Sequence, residues 1–175
     1  MRSYGGKGIV KIDDESVWEG DDKISFSEFK EKMKGRLIKY LGMKYLKNVH
    51  AGDKRIVVCN KKILGASLRL PPKDSWLCNV AQGGSSHPAE PDSEEKAMAN
   101  QLGQMLFDKG IILFGFDTLL GDDGKRKLSE INTLSIGGLP QIGILAGKPV
   151  VKTAASLIWE YIKKEVYGNS KITVR

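Results

Sequence analysis

Asp117, Glu130 and Asn132 are the residues whose types and spacing best suit chemistry in this sequence. Glu130 and Asn132 stand two apart in residues 128–132, which read as a strand, so their side chains share one face. Asp117 ends a continuous apolar run, residues 111–117, which reads as a buried strand. Asp122-Asp123-Gly124 between them is a strong turn signal, and hairpin pairing would bring Asp117 close to the other two. Two carboxylates and an amide are hard oxygen donors of the kind Mg²⁺ takes, with positions left open for water and phosphate oxygens. The competing reading is three polar strand-end residues facing water. The apolar approach through Phe114-Gly115-Phe116 weighs against it, because a carboxylate at the end of such a run needs a partner.

Three further features accompany this set. Arg55 and Arg69 fall on neighbouring predicted strands, where two planar guanidiniums could converge on a carboxylate or phosphate. Alternatively they are surface arginines paired with Asp53 and Asp74. Gly5-Gly6-Lys7-Gly8 would let backbone N–H groups approach phosphate oxygens. It lacks the spacing of a P-loop or dinucleotide fingerprint, and on its own a hairpin turn is the default reading. Asn79, Gln82, Gly83 and Gly84 lie in a long stretch, residues 71–92, that reads either as a lid closing over substrate or as a surface loop. His50 and His87 have no acid/base constellation around them, and no Ser or Cys carries a nucleophile signature. Phosphoryl and acyl-phosphate chemistry needs no such nucleophile; it needs metal, positive charge and positioning.

The elements that must position these residues are legible from periodicity. Residues 9–12 read as a strand after a glycine turn, and residues 13–22 as an acidic loop. Ser25-x-x-Glu28 fits a capping box, followed by Phe26, Phe29, Met33 and Leu37 at helical spacing, with Gly35 as the stop. Residues 36–46 look extended, and residues 48–52 look like a loop. Residues 54–58 and 63–70 flank Asn60-Lys61-Lys62 as a hairpin. Ser93 is expected to cap a helix with a stripe of Ala97, Met98, Leu102, Met105 and Leu106, stopped at Lys109-Gly110. Residues 133–148 read as a glycine-rich loop, and Pro149 opens a last amphipathic helix. The expected class is α+β, a mostly antiparallel sheet with helices packed on one face, as a single domain over residues 1–175.

Composition narrows the setting. A chain of 175 residues, 41% hydrophobic and 28% charged, is ordinary for a globular domain with a core. No apolar run approaches the roughly 18 residues of a membrane span, and the N-terminus has no secretory core. Cys59 and Cys78 form neither a metal spacing nor a disulfide framework, so the expectation is a cytoplasmic protein with reduced thiols. The net charge of +7 suits an anionic partner, but its basic residues are scattered and not interleaved with aromatics. Neither nucleic acid nor a membrane is therefore expected as partner.

Taken in order, the segments Gly5-Gly6-x-Gly8, Gly52-Asp53-Lys54-Arg55, Leu68-Arg69-Leu70-Pro71, Asn79-x-Ala81-x-Gly83-Gly84, Gly115-Phe116-Asp117 and Glu130-Ile131-Asn132-x-x-Ser135 resemble the ATP-grasp region of bacterial glutathione synthetases. The resemblance runs from residue 4 to about residue 165. It implies two α+β subdomains gripping ATP, and an ATP- and Mg²⁺- (or Mn²⁺-) dependent ligase. Such enzymes pass the γ-phosphoryl to the carboxylate of γ-glutamylcysteine, and glycine's amine attacks the resulting acyl phosphate. On this resemblance Asp117, Glu130 and Asn132 would hold the metal. Arg69 would face the transferring phosphoryl and Arg55 the peptide. Gly5 and Gly6 would cover the ATP phosphates, and Met43, Lys44, Tyr45 and Leu46 would contact adenine. Asn79, Gly83, Gly84 and Ser135 would contact substrate.

The family's enzymes are nearly twice as long, with an N-terminal substrate domain and a phosphate-contacting lysine before the glycine loop. On this resemblance the chain starts within that loop and lacks both. The connection from Asp117 to Glu130 is longer than usual, which reads as a hairpin extension. Two other readings stay open: a related ligase with another acid and amine, and a non-catalytic nucleotide-binding or partner module. The latter could be half of a split enzyme, completed by a separate N-terminal partner chain, and an apolar docking surface left open could also make the isolated chain a homo-oligomer.

Overall fold

The structure is a computed structural model that describes residues 9–19, 22–36, 42–73, 78, 83–134 and 136–168. Strands β1 (Val10–Asp13), β2 (Ser16–Glu19) and β3 (Asp22–Ser25) form a small antiparallel sheet in the order β1-β2-β3. The acidic loop expected over residues 13–22 is thus mostly strand. Asp14 takes a positive φ to reverse the chain, and Val17 is buried beneath the ribbon. Helix α1 (Phe26–Met33) starts where the Ser25 hydroxyl accepts from the Glu28 N–H at 3.1 Å. Gly35 follows it in the left-handed region.

The main sheet has five strands: β4 (Asp53–Cys59), β5 (Lys62–Leu70), β6 (Ser85–Ala89), β7 (Leu113–Leu120) and β8 (Arg126–Asn132). Their order is β6-β5-β4-β7-β8 and every neighbouring pair is antiparallel. Asn60 and Lys61 both have positive φ, as the tight β4–β5 turn requires. Strand β6 lies inside the stretch expected to be irregular. It is an edge strand, the place where Pro88 is tolerated in a sheet. A short 3-10 helix, Lys47–Ala51, replaces the loop expected over residues 48–52.

Helix α2 (Ser93–Phe107) is capped by Asp92, one residue before the expected Ser93. The Asp92 carboxylate accepts from the Glu95 N–H at 2.8 Å while Glu95 accepts from the Asp92 N–H at 3.0 Å. Its inward stripe is Glu95, Ala99, Leu102, Gly103 and Leu106; Ala97 is exposed and Met105 is 45% exposed. Helix α3 (Leu139–Ala146) occupies the region expected to be a glycine-rich loop. Its glycines are terminators, Gly138 before the first turn and Gly147 after the last, both with left-handed φ. Helix α4 (Val150–Tyr161) follows Pro149 and continues as a π-helical stretch, Ile162–Tyr167.

Strand alternation decides where the helices go. Ile56, Val58, Phe114 and Phe116 pack against Ala99, Leu102 and Leu106 of α2. Val57 points the other way, into a second cluster with Ile142 of α3 and Val150, the first residue of α4. The antiparallel α+β class holds, but the helices cover both faces of the sheet, because β4 and β7 are apolar on both sides. At Gly65 the second layer comes so close that an added Cβ would lie 2.6 Å from Ile142 Cγ2.

Candidate functional site

The polar residues occupy the end of the sheet face that α3 covers farther along. Asp53, Arg55 and Val57 alternate on that face of β4. Register sets Arg69 opposite Asp53, Arg55 opposite Asp117, and Asp117 opposite Glu130. The last pairing depends on a register shift between Asp117 and Thr118. Thr118 pairs with Leu128 and Asp117 with Glu130, leaving Ser129 extra. Asn132, two residues on, joins Glu130 on the same face.

Arg55 donates to Asp117 in a fork, Nε to Oδ1 at 2.7 Å and Nη2 to Oδ2 at 2.6 Å. Arg69 grips Asp53 in the same way, with both bonds 2.6 Å, and its Nη2 is also 3.0 Å from Asp117 Oδ2. Asn132, with its amide turned to suit its neighbours, donates to Glu130 Oε1 and accepts from Arg55 Nη2, both at 3.2 Å. The row is thus a continuous chain: Asp53, Arg69, Asp117, Arg55, Asn132, Glu130. Gly52 makes the Asp53–Arg69 approach possible. Its φ is 80°, and a Cβ there would run into the Arg69 carbonyl.

Three carboxylates face two guanidiniums in this chain, leaving one net negative charge. Burial raises the Asp53 carboxyl above the usual range, against the pull of Arg69. Burial lowers the Arg69 guanidinium, but the bonds it donates to Asp53 and the charge of Asp117 outweigh it, and Arg69 is raised overall. The exposed end is Glu130, so the surplus charge lies at the solvent side. Among the described residues no group of three or more His, Cys, Asp and Glu could hold a metal. The donor set here is two carboxylates and an amide, and it fits a hard cation in donor type and net charge. Asp117 Oδ2 is held by both arginines, so a cation there would share that oxygen or displace a guanidinium.

The other expected site residues fall into three groups. Residues 43–46 run up to the 3-10 helix, beside the small sheet: Lys11 Nζ stands 4.5 Å over the Tyr45 ring. Met43 is largely exposed, and Lys44 pairs with Asp122 of the β7–β8 turn at 2.7 Å. Gly83 and Gly84 lead into β6, whose Ser86 is opposite Arg69, so they border the arginine end of the row. Gly5, Gly6, Asn79 and Ser135 lie outside the described residues.

Sequence reasoning missed two groups. Glu95 is fully buried on the opposite face, where Lys54 Nζ and the Thr118 hydroxyl each donate to it at 2.6 Å. Lys54 and Thr118 are cross-strand partners, and the Asp92-x-x-Glu95 capping box was the available signal. Asp53 was legible only as a surface partner. Its place two residues before Arg55 puts both on one face, which is what makes it the anchor of Arg69.

Comparison with known proteins bears on this arrangement. The family described as "Prokaryotic glutathione synthetase, ATP-grasp domain" matches residues 1–147. Among curated relatives, glutathione synthetase of Agrobacterium fabrum is 31% identical over 146 residues, covering 82% of this chain and 43% of the relative. That of Brucella melitensis is 30% identical, covering 91% and 46% respectively. That of Buchnera aphidicola is 32% identical, covering 95% and 48%. The chain therefore spans about half the length of the curated relatives it matches, or less. Similarity to solved structures is weaker. D-alanine–D-alanine ligase from Bacillus anthracis complexed with ATP is 14% identical over 82% of this chain and 50% of that one, with a TM-score of 0.48. D-cycloserine synthetase is 15% identical over 66% of this chain and 40% of that one, with a TM-score of 0.47. The family match covers every element from β1 to α3, including the whole Asp53–Glu130 row, and by it the chain belongs to the prokaryotic glutathione synthetase ATP-grasp domain family.

Proposed function

We propose that this chain is the ATP- and metal-binding part of an ATP-dependent carboxylate–amine ligase of the glutathione synthetase type. The observation that carries the reading is the continuous row from Asp53 to Glu130, which combines two fixed guanidiniums with a net negative oxygen-donor end. Asp117, Glu130 and Asn132 would hold Mg²⁺ or Mn²⁺, which supplies charge neutralisation between phosphate oxygens. Arg69, anchored by Asp53, keeps a permanent positive charge for the transferring phosphoryl. Arg55 stands beside it, its Nε and Nη2 given to Asp117, and would offer its remaining positive edge to the carboxylate that receives the phosphoryl. Preorganised charge of this kind acts where negative charge builds up, without reorganisation during reaction. Residues 43–46 would take adenine, and Gly83 and Gly84 would border the substrate.

The relatives' name supports γ-glutamylcysteine and glycine as substrates, with glutathione, ADP and phosphate as products. Two free buried cysteines are in keeping with a cytoplasmic setting. The test is calorimetric titration with a non-hydrolysable ATP analogue, with and without Mg²⁺, on wild type and Glu130→Ala. Magnesium-dependent binding that the variant loses supports the site; no binding by folded wild type ends the reading.

A further inference from the structure

The tip of the β7–β8 hairpin is tied to the segment that precedes β4. Asp122 Oδ2 meets Lys44 Nζ at 2.7 Å, and Oδ1 accepts from the Lys47 N–H at 3.0 Å. The Asn48 amide donates to the Gly121 carbonyl at 2.9 Å. Farther down the hairpin, Arg126 Nη1 donates to the Gly52 carbonyl at 2.9 Å. Lys47 opens the 3-10 helix, and the preceding Leu46 offers no side-chain cap. Asp122 therefore supplies that cap from 75 residues away, satisfying an N–H that would otherwise have no partner from its own turn. The same carboxylate fixes Lys44 through its ammonium group.

We propose that Asp122 is a positioning residue for nucleotide binding, holding residues 43–46 at a fixed height relative to Asp117 and Glu130 on the same hairpin. This rests on the reading that residues 43–46 take the base and Asp117, Glu130 and Asn132 the metal. One hairpin then sets both ends of the nucleotide site: its strands carry the carboxylates and its tip holds the base-binding segment. The turn's length is part of the site, since a shorter one would not carry a carboxylate to Lys47. Neighbouring charges in the tip are otherwise engaged: Asp123 pairs with Lys127 at 2.7 Å, and Lys125 with Glu94 at 3.0 Å.

The experiment compares wild type, Asp122→Ala, Asp122→Glu and Asp123→Asn by calorimetry, using a non-hydrolysable ATP analogue and, separately, tripolyphosphate, each with Mn²⁺. The expected result is that Asp122→Ala weakens the analogue about tenfold and tripolyphosphate by less than about twofold. Asp122→Glu recovers part of the loss, and Asp123→Asn behaves as wild type. Equal analogue affinity in wild type and Asp122→Ala overturns the proposal. So does an equal loss for both ligands, which would mark a general structural effect. If wild type binds tripolyphosphate as tightly as the analogue, residues 43–46 do not hold the base and the proposal falls with that assignment. If wild type binds neither, the nucleotide reading itself is wrong.

Discussion

Arg69 binds two aspartates at once: Asp53 through a fork of two 2.6 Å bonds, and Asp117 through the same Nη2 at 3.0 Å. Asp53 is its firmer partner and lies on the strand beside it. Asp53→Ala should leave a part-buried guanidinium held on one side only, at a cost of about 3 kcal/mol in chemical denaturation. Asp53→Asn should cost less, because one acceptor oxygen remains. Equal midpoints for wild type and Asp53→Ala would mean the fork contributes nothing.

Glu95 joins helix α2 to both central strands, through Asp92, Lys54 and Thr118. Glu95→Ala should destabilise by about 4 kcal/mol, since it strands a nearly buried ammonium and removes half of a capping box. Thr118→Val should cost about 1–2 kcal/mol by leaving one carboxylate oxygen without its donor. The two losses should not add, because both act on one carboxylate; a double-mutant cycle checks this.

Gly65 and Ile142 occupy one space. Gly65→Ala should destabilise by about 2 kcal/mol through overpacking, and Ile142→Ala in the same chain should relieve the clash. Thermal melts of the two single variants and the double variant decide it. An additive double variant would place the cost in the Gly65 backbone and not in the contact.

Burial pushes the Cys59 thiol up to about 11, from an ordinary value of 9.0. Between these values the folded chain keeps the proton while the unfolded chain loses it. Stability should therefore be flat below pH 9 for this group and fall as pH rises toward 11, by on the order of 2 kcal/mol. Cys59→Ala should remove that part of the alkaline slope, measured as urea midpoints across pH 8 to 11.

Much of the site was legible because it depends on local rules. Period two put Glu130 and Asn132 on one face, and turn residues marked both the β4–β5 and β7–β8 hairpins. What escaped depended on distant packing. Val17 makes a strand of an acidic stretch only because it has something to bury against. Helix α3 looked like a loop because its glycines end it on both sides, and Gly143 inside it lies close to Val150. Strand β6 was hidden by Pro88, which an edge position tolerates. That the arginines would pair within the site, and not at the surface, followed from strand register, and register is not written in either strand alone.

The extra residue at Ser129 gives β8 a change of parity. Before it, Leu128 pairs with Thr118; after it, Glu130 pairs with Asp117, and Ile131 with Phe116. Deleting Ser129 alone would make the ladder regular: Glu130 would follow Leu128 directly and still lie opposite Asp117, so Glu130, Ile131 and Asn132 would keep their faces. Removing Leu128 as well would bring Glu130 opposite Thr118, facing helix α2, and set Ile131 opposite Asp117 in the arginine row. Counted from the fixed β7–β8 turn, loss of the one extra residue before Glu130 should therefore spare the donor set and loss of a second should abolish it, whatever the identity of the residues involved.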